Sequence, residues 1–173
     1  MSSSSTISST PLSKAETFRA EVRETDVAAV LRVVTATGVF SAEEIGIAEE
    51  LVQDHLNRGA EASGYYFLFA DGPGGLEGYT CFGPIPGTVR RWELYWIAVD
   101  PDARRGGLGR RLQRASEEAV RTMGGVFMVA ETSTKPAYAA ARGFYRAEGY
   151  NLLAEIPDWH DEGDGLAIYG KRL

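Results

Sequence analysis

The chain has 173 residues, enough for one domain and too few for two of ordinary size. Hydrophobic residues make up 44% and charged residues 24%, which argues against a wholly disordered chain, a collagen-like repeat or a membrane bundle, and no run reaches the roughly 20 apolar residues that cross a bilayer. The formal charge of -6 disfavours nucleic acid and anionic membrane as partners, while a single cysteine (Cys81) and two histidines (His55, His160) disfavour a disulfide framework or a metal site and fit a reducing, cytoplasmic setting.

Residues 1–13, MSSSSTISSTPLS, are Ser/Thr-rich and read as a disordered tail, with the folded domain spanning residues 14–173. A first strand is predicted over residues 17–23. Val27, Val30, Leu31 and Val34 then recur at helical spacing until Gly38. Ser41 and Glu44 form a capping-box pattern that opens a second helix with Ala48, Val52, His55 and Leu56 on its apolar face. Residues 65–70 and 76–82 flank the turn DGPGG and predict an antiparallel hairpin. Residues 90–99, containing WELYWIAV, form the longest strand candidate. A helix follows from Leu108 to the glycines at 124 and 125, then a strand over 126–132, a short helix over 138–148, and strands over 150–156 and 166–173. The order β α α β β β α β α β β describes a mixed α/β domain.

Between the strand ending at Val99 and the helix near Leu108 lies DPDARRGGLGRR, where three glycines clear side chains from a helix N-terminus and let backbone N–H groups converge on an anion. Arg104, Arg105, Arg110, Arg111 and Arg114 fall within eleven residues that contain no acid, so the segment reads as a diphosphate site. A P-loop would need Gly-Lys followed by Ser or Thr, which the chain lacks. A Rossmann turn finds its G-x-G in Gly107 and Gly109 and an acid in Glu131. Its third glycine position, however, is Leu112, and the turn is too long.

Arg104-Arg105-Gly106-Gly107-Leu108-Gly109 resembles the R/Q-x-x-G-x-G/A acetyl-CoA loop of the GNAT N-acetyltransferase superfamily. A second match, residues 141–150 (ARGFYRAEGY), resembles the family's A-x-x-hydrophobic-Y-x-x-x-G-F/Y signature, correctly ordered and one strand later. The resemblance covers residues 17–173. It implies a mostly antiparallel twisted sheet flanked by helices and splayed between the fourth and fifth predicted strands, at residues 90–99 and 126–132. It also implies acetyl-CoA as co-substrate, no metal, a small-molecule primary amine as acceptor, and a monomer or a homodimer. Tyr138 stands where many relatives carry an Asn that contacts the pantetheine arm, and by position it is a candidate cofactor contact.

By that resemblance the backbone of Ile97 and Val99 binds the pantetheine amides, and the segment from Arg104 and Arg105 through Gly106, Gly107, Leu108 and Gly109 to Arg110 holds the pyrophosphate. Tyr145 matches the tyrosine that protonates the leaving thiolate, and Glu93 matches a general-base glutamate, with ordered water as the alternative acceptor of the proton. Strand alternation would place Glu93, Tyr95, Ile97 and Val99 on one face. Glu131, Thr132 and Ser133 end the next strand and either orient the amine or simply close the strand. Trp159, His160 and Asp161, in the acidic stretch DWHDEGD, are candidate acceptor contacts in a loop, favouring a small cationic amine. A catalytically silent acyl-CoA-binding module is the competing reading. Cys81 and His55 are assigned to packing.

Overall fold

The computed structural model describes residues 18–104 and 106–173; the predicted tail, Thr17 and Arg105 lie outside them. Two helices come first, α1 (Glu24–Ala36) and α2 (Ala42–Ser63), followed by the hairpin β1 (Tyr66–Gly72) and β2 (Gly75–Pro84), then β3 (Arg91–Val99). Next are α3 (Leu108–Thr122), β4 (Phe127–Ser133), a 3₁₀ turn at Pro136–Tyr138, α4 (Ala139–Ala147), β5 (Asn151–Asp161) and β6 (Asp164–Arg172). The strands form one sheet in the order β1-β2-β3-β4-β6-β5. Every neighbouring pair is antiparallel except β3 and β4.

The sequence pattern accounts for the layers. Ser41 Oγ accepts from the Glu44 N–H at 3.2 Å and Glu44 Oε2 accepts from the Ser41 N–H at 2.7 Å, so the capping box does form and starts α2. Val30, Val33 and Val34 of α1 and Ala48 and Val52 of α2 pack on Phe67, Phe69, Tyr79, Cys81 and Ala98, covering one face of β1, β2 and β3. On the opposite face Val120 of α3 and Tyr145 of α4 pack with Trp92, Leu94, Met128, Ala130, Ala167 and Tyr169. Among the described residues no helix is long and apolar enough to cross a membrane.

Two expectations change. Among the described residues, a single bridge, Arg19 to Phe69, stands in place of a first strand. The Arg19 guanidinium grips Asp26 at 2.8 Å, Asp71 at 2.7 Å and the Glu21 carbonyl, which bends the chain away from β1 before a ladder can form. Asp26 is 3% exposed, so removing its cation leaves a buried carboxylate unpaired. Arg19→Ala should therefore lower stability by about 3 kcal/mol in urea denaturation; a change below about 0.5 kcal/mol would show that the cluster is only a surface ion pair.

The second change is at the C-terminal end. The predicted loop DWHDEGD is mostly strand: β5 runs to Asp161, and Asp161 pairs with Asp164 across a two-residue turn at Glu162 and Gly163. Gly163 takes φ 77°, a left-handed conformation that glycine adopts without the steric cost of a Cβ. Asp158, at φ 53°, and an irregularity between Ile156 and Asp161 kink this edge strand.

Candidate active site

β3 and β4 pair in parallel only from Arg91 with Phe127 to Leu94 with Ala130. Beyond those residues β3 follows β2 and β4 follows β6, so the two strands diverge. The divergence begins at a bulge: Cys81 pairs with Trp96 but Phe82 pairs with Leu94, which leaves Tyr95 as the extra residue. The bulge overturns the predicted alternation. Tyr95 and Trp96 pack toward α1 and α2, whereas Ile97 and Val99 pack toward α3. Glu93, alternating with buried Trp92 and Leu94, shares the Tyr95 face. The carboxylate and the positions predicted to contact pantetheine thus reach the gap from opposite sides of the sheet.

On the α3 and α4 side the gap opens into a slot of about 200 Å³ lined by Ile97, Val99, Gly109, Ala140, Ala141, Phe144 and Tyr145. The larger cavity, about 660 Å³, lies elsewhere, at the outer edge of β1 between Val22, His55 and Met123. Tyr145 is 6% exposed, with its ring against Phe144, Tyr150 and Tyr169, and burial pushes its phenol above the usual range, so it stays protonated.

The glycine loop leads to the start of α3. Gly106 (φ 101°) and Gly107 (φ 72°) are left-handed, and a Cβ at Gly107 would meet nothing within 4 Å. Unlike α2, α3 has no acid in its first turn and, among the described residues, no side-chain cap, so its first N–H groups meet no side-chain acceptor there. Leu108 itself is 3% exposed and anchors this end against Ala70 and Leu112, so only its backbone faces outward. Arg104 is exposed.

The arginine run is not as unopposed as the sequence suggested. Glu148, at the end of α4 and 6% exposed, accepts from Arg110 Nε at 2.6 Å and Arg114 Nε at 3.3 Å. These two cations tie α3 to α4, and no local sequence signal announced a partner 34 to 38 residues away. Tyr138 has a distant partner as well. It lies outside the slot lining, and its hydroxyl donates to the Glu44 carboxylate at 2.7 and 2.8 Å, joining the start of α4 to the start of α2.

On the α1 and α2 side, Glu93 is half-buried and faces Glu131 from the neighbouring strand. Burial first, then the Glu131 charge, pushes the Glu93 carboxyl up to about 7. Neither carboxylate has an ion-pair or hydrogen-bond partner among the described residues. Ser133 is 8% exposed and donates to Asp164, which also pairs with Lys135 at 3.1 Å, so its hydroxyl already serves the fold. Trp159, His160 and Asp161 are exposed on β5, with β6 between them and β4. His55 accepts its packing role: Nδ1 lies 2.7 Å from the Tyr65 carbonyl and the ring is edge-on to Phe67. Cys81 is fully buried.

A family model described as the acetyltransferase (GNAT) family matches residues 36–150. The chain belongs to the GNAT acetyltransferase family. Among solved structures, a protein of Desulfovibrio desulfuricans assigned to that family is 42% identical, with a TM-score of 0.87 over 90% of this chain and 98% of the other. A ribosomal-protein-alanine N-acetyltransferase from Brucella melitensis, 24% identical, has a TM-score of 0.72 over 91% and 99%. An aminoglycoside 6'-N-acetyltransferase complexed with coenzyme A, 16% identical, has 0.69 over 90% and 96%. The last two share the fold. GNAT enzymes use acetyl-CoA.

If Glu93 takes the amine proton, kcat/KM for the acetyltransferase should rise with pH through about 7, because only the ionised form accepts. Glu131→Gln removes the like charge and should move that limb to lower pH, while Glu93→Gln should abolish it. A limb unmoved in both variants would assign it to another group. The same shift enters stability with a definite sign. A carboxyl raised in the folded state favours folding fully below its unfolded value of 4.5, and that contribution is lost as pH rises through about 7.

Proposed function

We propose that this enzyme transfers the acetyl group of acetyl-CoA to a small cationic primary amine by direct attack in a ternary complex. The observation that carries this reading is the gap between β3 and β4, with a slot ending at Tyr145 on one side of the sheet and the unpaired Glu93 carboxylate on the other. The backbone of Ile97 and Val99, unpaired on the β4 side, suits the pantetheine amides. The N–H groups from Gly107 to Arg110 suit the pyrophosphate, with Arg104 adding charge at the mouth. Arg110 contributes its backbone while its side chain holds Glu148.

Acetyl-CoA supplies an activated acyl carbon and a thiolate leaving group. Glu93 accepts the proton that the amine loses, and its raised pKa lets it do so near neutral pH. Tyr145 Oη donates a proton to the leaving sulfur; buried and neutral, it stays loaded across the working range. Glu131 holds the incoming ammonium beside Glu93. Initial rates test the reading: double-reciprocal lines should intersect when both substrates are varied, and no acetylated enzyme should be detected by mass spectrometry. Parallel lines with a protein-bound acetyl group would overturn it.

The β5–β6 hairpin carries Asp158, Asp161, Glu162 and Asp164, while the arginines stand at the α3 end, so the field should steer a cation to one mouth and an anion to the other. Asp158 and Asp161 also accept backbone N–H bonds in the turn, at 2.8 Å from Gly163 and from Glu162. Asp161→Lys with Glu162→Lys should raise the amine KM about 3- to 10-fold at low salt and leave the acetyl-CoA KM unchanged. An amine KM unchanged at every ionic strength would show that the hairpin does not select the acceptor.

A further inference from the structure

The bulge at Tyr95 does more than open the gap, because it turns two successive aromatic side chains, Tyr95 and Trp96, onto the same side as Glu93. Tyr65 stands edge-on to Tyr95 with ring centroids 5.5 Å apart. Phe40, from the connection between α1 and α2, lies 5.1 Å from Trp96 and 6.3 Å from Tyr138. All five rings are partly exposed, in a fold that buries Phe67, Phe69, Tyr79, Phe82 and Tyr169 completely or nearly so. Aromatic surface left open beside a reacting carboxylate favours an apolar, flat ligand body.

The polar side chains around these rings point the same way. A polyhydroxylated amine needs several donors and acceptors left available to read its hydroxyls. Here the Tyr138 hydroxyl is held by Glu44, the Ser133 hydroxyl by Asp164, the Asp164 carboxylate also by Lys135, and Thr134 Oγ accepts from the Gly165 N–H at 2.8 Å. With these groups engaged, the acceptor meets the rings, the Tyr65 and Tyr95 hydroxyls at their tips and the two carboxylates Glu93 and Glu131, while Trp96 Nε1 is buried away from it.

Resting on the acetyl-transfer reading above, we infer that the acceptor is a primary amine borne on a planar apolar body, with the ammonium at Glu93 and Glu131 and the body against Phe40, Tyr95 and Trp96. Aminosugars and linear diamines are the disfavoured classes. An ammonium beside these rings also gains cation–π attraction that a neutral amine lacks.

The test uses three probes with the full chain and acetyl-CoA: 2-phenylethylamine, putrescine and glucosamine. The expected kcat/KM for 2-phenylethylamine exceeds each of the others by at least about 10-fold. Phe40→Leu, in a connection outside helix and strand, should raise the 2-phenylethylamine KM about 3- to 10-fold with kcat held, and leave the putrescine KM unchanged. Equal or reversed preference among the probes, or equal KM changes for both amines, overturns the inference while leaving acetyl transfer intact. If no amine is acetylated, calorimetric titration of the three probes into the protein with coenzyme A decides it separately. Tighter binding of 2-phenylethylamine then supports the aromatic body although the transfer reading has failed, and binding no tighter than that of the other two overturns both.

Discussion

Tyr145→Phe should lower turnover by about 10²- to 10⁴-fold while acetyl-CoA affinity changes little. The substitution keeps the ring that packs against Phe144, Tyr150 and Tyr169 and removes only the hydroxyl, so the slot keeps its shape. The phenol is held neutral by burial, and its loss should therefore lower the rate at every pH rather than move a titration limb. Stopped-flow measurement of thiol release in a single turnover isolates the chemical step. A rate equal to the parent across pH would remove Tyr145 from the mechanism.

Gly109→Val should weaken acetyl-CoA binding by about 10²-fold, because its branched side chain fills the slot where nothing can yield without unpacking. A Cβ at Gly109 would stand 3.6 Å from Val99 Cγ2 and 3.8 Å from Phe144 Cε2, which is ordinary contact. Gly109→Ala should accordingly bind within a few-fold of the parent, and the next carbons of Val carry the loss. Gly107 is a poorer probe. At φ 72° any side chain strains the backbone there, so a binding defect would mix the loop with the pocket. Calorimetry on the Gly109 pair reads the slot alone, and parent-like affinity for Gly109→Val would place acetyl-CoA elsewhere.

What could be read from the residues follows how local the signal is. The capping box at Ser41 and Glu44, the hairpin around DGPGG and the glycine loop before α3 are each written within a few residues, and the structure forms all three. The two family motifs pointed to the fold through their order. Features that depend on distant partners stayed hidden. Glu148 reaches arginines on another helix, and Tyr138 meets a carboxylate 94 residues earlier. Arg19 holds Asp71 52 residues away and thereby replaces a strand with a bridge. The Tyr95 bulge is the most consequential of these. Strict strand alternation along WELYWIAV would keep Ile97 on the Glu93 face, yet one added residue turns it away and separates the two sides of the gap. The aromatic surface at Phe40, Tyr95 and Trp96 was visible as composition only, since nothing in the spacing places residue 40 against residue 96.

Thiol release tests amine acetylation most directly: purified enzyme, acetyl-CoA and a panel of primary amines, with free thiol followed by a chromogenic disulfide and product identified by mass. The expected result is an amine-dependent release of one thiol per N-acetylated amine, faster above pH 7 than below it and greatly reduced in Tyr145→Phe. Tight acetyl-CoA binding with no thiol released above the amine-free rate for any acceptor would contradict catalysis and leave a silent acyl-CoA-binding module.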